Sequence, residues 1–295
     1  MAQVSGKLGL AMASRRRLRS CYRARPPRRV LCVTTIVPGQ RAFARAPGAD
    51  SSNGTAVPSG GAIDHGEGRH SDSMTEILVT AGPTREHLDD VRFLSNPSTG
   101  RMGYAIAAAA AAMGHRVHLV SGPVELPTPS GVERIDVISA DDMLAASAAV
   151  FAGCSIAFFV AAVADHRPAQ RLVGKPAKNL GRYTLELVQN PDIAAILGER
   201  KGERVCVGFA LESFSDSDSR AAAIDRARQK LVRKHLDLCV LNGPSALGGD
   251  TSEIILVAAD GTVQPLPSGD KRDHARVLIE RALSIASNRR GHTES

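Results

Sequence analysis

The stretch from Ile77 to Gly122, ILVTAGPTREHLDDVRFLSNPSTGRMGYAIAAAAAAMGHRVHLVSG, decides the fold. A short apolar run, Ile77-Leu78-Val79, ends in Thr80-Ala81-Gly82, and a polar loop of about a dozen residues follows. Ser98-Thr99-Gly100 then leads into a run of alanines, and a second apolar run, Val117 to Val120, ends at Ser121-Gly122. Strand, loop, helix and strand in that order make the βαβ unit of a parallel sheet. The first backbone N–H groups of such a helix have no partner within it, so phosphates bind there readily.

This is not the dinucleotide fingerprint, which needs G-x-G-x-x-G directly after the strand. Here Pro83 follows Gly82, and the next glycines are Gly100 and Gly103. An NAD(P)-dependent oxidoreductase, the competing enzyme class, would also need an acidic residue about 20 positions on. Loops between strand and helix usually run about 2–6 residues. A longer one above the carboxyl end of a strand serves a ligand more often than the fold, the alternative being a solvated surface loop.

Working outward, Val132–Ile138 reads as an edge or third strand, and Ser139-Ala140-Asp141-Asp142 as the start of a helix with Met143–Val150 as its body. Ser155–Val160 is a continuous apolar run, fit for a central strand buried on both faces. It ends in Ala161-Ala162-Val163-Ala164-Asp165, where small residues let a ligand approach the backbone. Tyr183–Val188 alternates and predicts one strand of a hairpin-like excursion. Asn190-Pro191-Asp192-Ile193 predicts a helix start with Asn190 or Asp192 near the cap. Further elements are a core strand at Cys206–Ala210, a helix at Arg220–Lys234 and a strand at Leu236–Leu241 ending in Asn242. A hairpin around Asp260-Gly261 and a closing helix over roughly 271–287 complete the chain. Strands alternating with helices argue a doubly wound α/β sheet.

Charge divides the chain in two. Residues 1–73 hold 12 Lys and Arg against 4 Asp and Glu, whereas the remaining 222 residues hold 25 against 26. The basic character belongs to the leader, so the folded part has no electrostatic footprint for nucleic acid. The leader has no sustained hydrophobic period and reads as disordered. An organelle transit peptide, a basic tail and a start assigned upstream of the true one at Met74 all account for it, the last being favoured. Residues 74–295 suit one domain with a substantial core and a small subdomain. The apolar runs are far below the ~20 residues of a membrane span. Cys154, Cys206 and Cys239 are odd in number, far apart and flanked by apolar residues. They read as buried thiols in a reducing cytoplasm, not as disulfides or a metal cage.

Five motifs occur in one order: Ala81-Gly82-Pro83-Thr84-Arg85-Glu86, Leu94 to Gly103, Ala161 to Asp165, Asn190 to Ile193 and Val207-Gly208-Phe209. Together, over Ile77 to about Leu283, they closely resemble phosphopantothenoylcysteine synthetase, the ligase of coenzyme A biosynthesis. The resemblance implies a Rossmann-like, mostly parallel sheet with a small β flap, a homodimer and a Mg2+ requirement. It implies a CTP-using enzyme of the bacterial type, standing alone, with no flavin and no decarboxylase in the leader; a separate phosphopantothenoylcysteine decarboxylase is a possible partner. The carboxylate of 4′-phosphopantothenate would attack the α-phosphate of CTP, giving an acyl-cytidylate and pyrophosphate. The amine of cysteine would then displace CMP.

The resemblance also assigns residues. Lys175 matches the family's lysine for the first step, where cations meet charge developing on the α-phosphate; from composition alone it is a solvated loop lysine. Asn96 matches the asparagine that acts on the acyl-cytidylate, although Asn before Pro97 also suits a turn. Ser98, Thr99, Gly100 and Gly82 would line the phosphate site, with Ala161, Ala162 and Asp165 facing the nucleotide. Asn190, Pro191, Asp192, Ile193 and Phe209 join them, and Lys230 and Lys234 fall where the family places basic residues; an ordinary solvated helix face explains those two nearly as well. The family usually has a further lysine two places after Lys175, where this chain has Ala177, and Lys178 keeps the next position. A silent nucleotide-binding protein is the third reading, and the retained Asn96 and Lys175 argue against it.

Overall fold

The computed structural model describes residues 74–175, 184–213, 216–243 and 251–293. The leader and Ala177, Lys178 and Tyr183 lie outside them. An eight-stranded sheet holds the molecule, in the order β12-β11-β10-β9-β6-β1-β4-β5. β1 (Glu76–Ala81), β4 (Arg116–Ser121), β5 (Val132–Asp136), β6 (Ile156–Phe159), β9 (Val205–Leu211) and β10 (Leu238–Asn242) run parallel. β11 (Thr251–Ala258) and β12 (Val263–Asp270) return antiparallel around Asp260-Gly261. β6 is buried along its whole length, as its unbroken apolar run requires.

Alternating side chains feed two cores. Ile77 and Val79 point to the layer of α1 (Arg101–Ala112) and α5 (Lys271–Thr293), where Ile106, Ala110, Leu278 and Ala282 pack. Leu78 points to the other layer, with Met143 of α2 (Ala140–Phe151), Leu197 of α3 (Ile193–Gly198) and Ala227 of α4 (Ser217–Arg233). The alanine run of α1 combines high helix propensity with close packing. Gly103 allows the closest approach, since a Cβ there would lie 2.6 Å from that of Ala81.

From β1 the chain winds outward to β4 and β5, then crosses back to β6 and winds the other way. The gap between β1 and β6 at their carboxyl ends is therefore the topological switch point, the usual ligand crevice of such sheets.

Several boundaries differ from the sequence reading. The polar loop after Gly82 contains an antiparallel hairpin, β2 (Arg85–His87) with β3 (Phe93–Ser95). Its strands are too short to show a period. The predicted excursion is a second hairpin, but its strands are β7 (His166–Pro168) and β8 (Leu187–Gln189). α4 starts earlier than Arg220, because Asp216 and Ser219 form a capping box. α5 runs on past residue 287 to Thr293. Val132–Asp136 is the edge strand.

Candidate active site at the switch point

The crevice is assembled from backbone. After β1 the chain turns at Gly82, whose φ is 72° and where a Cβ would lie 3.0 Å from the Gly122 carbonyl oxygen. Glycine meets both demands. Ala162 N donates to Gly82 O at 2.9 Å, and Thr84 N to Ala162 O at 3.4 Å, extending the β1–β6 pairing past the sheet. Two threonines hold the end of β6 in shape. Thr80 Oγ1 accepts from Val160 N (3.1 Å) and Ala161 N (3.3 Å), and Thr84 Oγ1 from Ala164 N (3.0 Å).

The β2–β3 hairpin delivers Asn96. It is anchored by the buried Glu86, whose Oε1 accepts from Ala140 N at the start of α2 (2.9 Å). Its turn is closed by Asp89, which accepts from Val91 N (2.8 Å), Arg92 N (2.7 Å) and Arg92 Nε (2.7 Å). Burial works against the Asp89 charge, but these donors outweigh it and hold the carboxyl at about 2. Just beyond, Asn96 Nδ2 donates to Ala162 O (3.2 Å) and Val163 O (3.1 Å). The amide thus ties the hairpin to the end of β6. Gly100, at φ 74°, then starts α1 with no side-chain cap, which leaves the helix N-terminus able to receive an anion.

Between these parts lies a cavity of about 240 Å³. Gly82, Ser98, Thr99 and Gly100 line one side, and Ala161, Ala162 and Phe209 the other. The structure thus brings together residues from four separate motifs. Leu211, Asn242 and Lys271 also line it and were not singled out as site residues. Lys271 reaches it only because β11 and β12 carry the chain back across the sheet, an adjacency without a local signal. A larger, shallower groove of about 950 Å³ runs along α1 beside the start of α5 and shares Arg101 and Lys271. It lies away from the switch point.

Other predicted residues sit around the cavity in different ways. Asp165 is exposed at the end of the β6 strip. Asn190 is buried behind that strip: its Nδ2 donates to Ala164 O (2.8 Å), its Oδ1 accepts from Arg167 (2.9 Å) and its N donates to Asp165 O (2.9 Å). It braces the strip from below. Asp192 is the cap of α3 and pairs with Lys234 at 2.8 Å, while Ile193 is core and Pro191 is half-buried. Lys230 Nζ donates to Phe209 O at 2.7 Å, and burial pushes its pKa down. Neither lysine stands on a solvated face; the Lys234 side chain is 15% exposed.

Lys175 is not in the cavity. It is exposed, on a segment tied to the β2–β3 turn through Gly174 N to Asp90 Oδ2 (2.8 Å) and Arg171 to Asp90 (3.1 Å).

The family described as the DNA/pantothenate metabolism flavoprotein C-terminal domain matches residues 73–285.

The chain belongs to that family.

The coenzyme A biosynthesis bifunctional protein CoaBC of Bacillus subtilis (strain 168) is 41% identical over 225 residues, which cover 75% of this chain and 52% of that protein. The protein of the same name from Escherichia coli (strain K12) is 44% identical over 222 residues, covering 70% and 51%. The chain spans about half the length of these curated relatives. Among solved structures, the crystal structure of the C-terminal domain of CoaBC superposes with a TM-score of 0.60 at 34% identity, covering 73% of this chain and 98% of that one. The resemblance read from the five motifs is borne out, and so is the mostly parallel α/β sheet. Among the described residues no helix is long and apolar enough to cross a membrane.

Proposed function

We propose that this protein joins 4′-phosphopantothenate and L-cysteine through an acyl-cytidylate made from CTP, acting in coenzyme A biosynthesis in the cytoplasm. The observation that carries the reading is the Asn96 amide bound to the carbonyls of Ala162 and Val163, beside a 240 Å³ cavity, in a chain of this family. A carboxylate is a poor electrophile and must become a mixed anhydride before an amine can attack it. The first step forms a bond from the carboxylate oxygen to the α-phosphorus and releases pyrophosphate. The second forms the amide as the acyl–phosphate bond breaks and CMP leaves, and the ammonium's two protons pass to CMP and solvent.

Each group has work suited to it. The N-terminus of α1, with Ser98, Thr99 and Gly100, suits a phosphate. The half-buried strip of small residues at Ala161–Val163 suits the nucleotide, and Thr80, Thr84 and Asn190 keep that strip rigid. Asn96 would transfer its hydrogen bonds from the two carbonyls to the acyl-cytidylate. Lys175, one residue past the hairpin-tethered Gly174, would meet the triphosphate.

The resemblance implies Mg2+. An ion carried by a triphosphate keeps most of its waters and needs only one or two protein carboxylates. The exposed Asp165 fits that need, and the ion would neutralise phosphate charge. A homodimer is part of the same reading: Val91, Val173, Leu187 and Val188, on or beside the two hairpins, are exposed apolar residues available to an interface. Size-exclusion chromatography with light scattering tests it.

Sustained pyrophosphate release that requires CTP, 4′-phosphopantothenate and cysteine, together with amide product, tests the whole reading; NAD(P)H turnover, or binding without turnover, would replace it. Lys175→Gln is expected to slow acyl-cytidylate formation about 100-fold or more in single turnovers at saturating CTP. An unchanged saturated rate would make Lys175 a binding residue only.

A further inference from the structure

We propose that Glu76, His118 and Cys154 form a binding site for a borderline-soft divalent cation, Zn2+ by the chemistry of its donors. The site lies at the opposite end of the strands from the crevice. Leu78 of β1 pairs with His118 of β4, so Glu76, two residues before Leu78, shares a face with His118. That face is the α2, α3 and α4 layer, whose core includes Leu78 and Cys154. The turn before β6 is drawn to the same point because Ser155 N donates to Glu76 O at 2.9 Å. One donor atom from each of the three residues lies within 4.8 Å of the others.

The buried imidazole is the second observation. The His118 side chain is 8% exposed, yet among the described residues its Nδ1 has no aligned hydrogen-bond partner. Its Nε2 is 3.7 Å from Glu76 Oε2, too far for one. Its Nδ1 is 3.1 Å from Glu133 Oε2, but the contact is not aligned as a hydrogen bond. A carboxylate on the far nitrogen is the outer partner that metal-bound histidines use, and it needs only a small turn of the ring here. Arg116 takes Glu76 Oε1 at 3.1 Å, which leaves Oε2 as the oxygen facing His118.

The donor set selects the ion. Mg2+ and Ca2+ take oxygen ligands. Imidazole, thiolate and carboxylate together suit Zn2+, and three of them leave a fourth tetrahedral position for water. Cys154 Sγ now donates to Val150 O at 3.3 Å. On binding, a sulfur–metal bond replaces the S–H bond and the proton passes to solvent, with no change of oxidation state. The ion would clamp β1, β4 and the turn before β6, so its role is structural and separate from the ligase chemistry.

The test uses the full chain, stripped of metal, with Co2+ alone as the probe. One equivalent is expected to give a thiolate-to-cobalt charge-transfer band and tetrahedral d–d bands, both displaced by one equivalent of Zn2+. Cys154→Ala should lose the charge-transfer band. Glu133→Gln, at a solvent-facing position, should weaken Co2+ binding about 10–100-fold, and Glu76→Gln should weaken it at least as much. No band in the wild-type chain overturns the proposal. So does a band that survives Cys154→Ala, which would belong to Cys21, Cys32, Cys206 or Cys239. If Cys154→Ala does not fold, unchanged affinity in both glutamate variants overturns it.

Discussion

At their carboxyl ends β1 and β6 offer glycine, alanine and backbone groups, tied in place by threonine hydroxyls and one asparagine amide. At their amino ends the sheet carries long charged and titratable side chains. Glu76 and His118 stand beside Cys154, and the buried Asp237 takes Lys201 (2.7 Å), Cys206 N (2.8 Å) and Arg289. Arg289 also reaches the Arg204 carbonyl (2.9 Å), which fastens the end of α5 to this edge. The difference teaches where function needs geometry and where stability needs charge. A crevice that admits a ligand to the backbone must be lined with small residues. A sheet edge away from the crevice can be closed with ion pairs, provided each buried charge finds partners.

The comparison breaks most visibly at Gly122. A Cβ there would lie 1.8 Å from the Pro83 carbonyl oxygen, backbone that cannot swing aside. Gly122→Ala is expected to destabilise the protein by about 3 kcal/mol and to abolish ligation, read by urea titration and pyrophosphate release. Wild-type stability would mean that the β4 and β1 turns separate freely.

Asn96→Asp tests whether the crevice acts through its amide. The change puts a carboxylate against two carbonyl oxygens and removes the donor that would meet the acyl-cytidylate. Loss of such a donor costs about 3–4 kcal/mol in the step it serves. The second half-reaction should slow more than the first, so the acyl-cytidylate should accumulate and be seen by mass spectrometry. Equal slowing of both steps with no trapped intermediate would reduce Asn96 to a structural tie.

Asp237→Asn attacks the opposite end. Lys201 and Arg289 lose their counter-charge, with an expected cost of about 2–3 kcal/mol, below that of a fully buried pair because both cations are partly exposed. The turnover of the folded enzyme should stay unchanged. A matching fall in turnover at constant fold would show that the two ends are coupled.

The smallest effect concerns the hairpin. Asp89 has its carboxyl held at about 2, below its unfolded value. Its contribution is therefore complete above about pH 4 and is lost as pH falls through about 2. The Val91 and Arg92 amides should exchange faster with solvent over that window. Asp89→Asn should flatten the dependence, and a wild-type hairpin insensitive to acid would contradict the assignment.

What could be read from the sequence follows from range. The turn at Gly82, the uncapped start of α1 at Gly100 and the small residues after β6 are set by neighbours along the chain, so their motifs carried them. The hairpin within the Gly82–Asn96 loop was missed because three-residue strands give no period. The Asn190 amide is turned to Ala164 and Arg167, a partnership made by β7 and β8 closing on each other that no local pattern announces.

The same distinction divides the whole molecule. Local chemistry alone determined a doubly wound α/β sheet and a phosphate-suited helix start, because alternation, caps and glycine turns act over a few residues. Tertiary structure decided which side chains share a space. Only the crossover from β5 to β6 creates the switch point, only the antiparallel return brings Lys271 to the cavity, and only the register of β1 with β4 sets His118 beside Glu76 and Cys154. Such contacts join residues far apart in the chain, and the entropy of closing those loops is offset by burial of the whole sheet, which no local motif encodes.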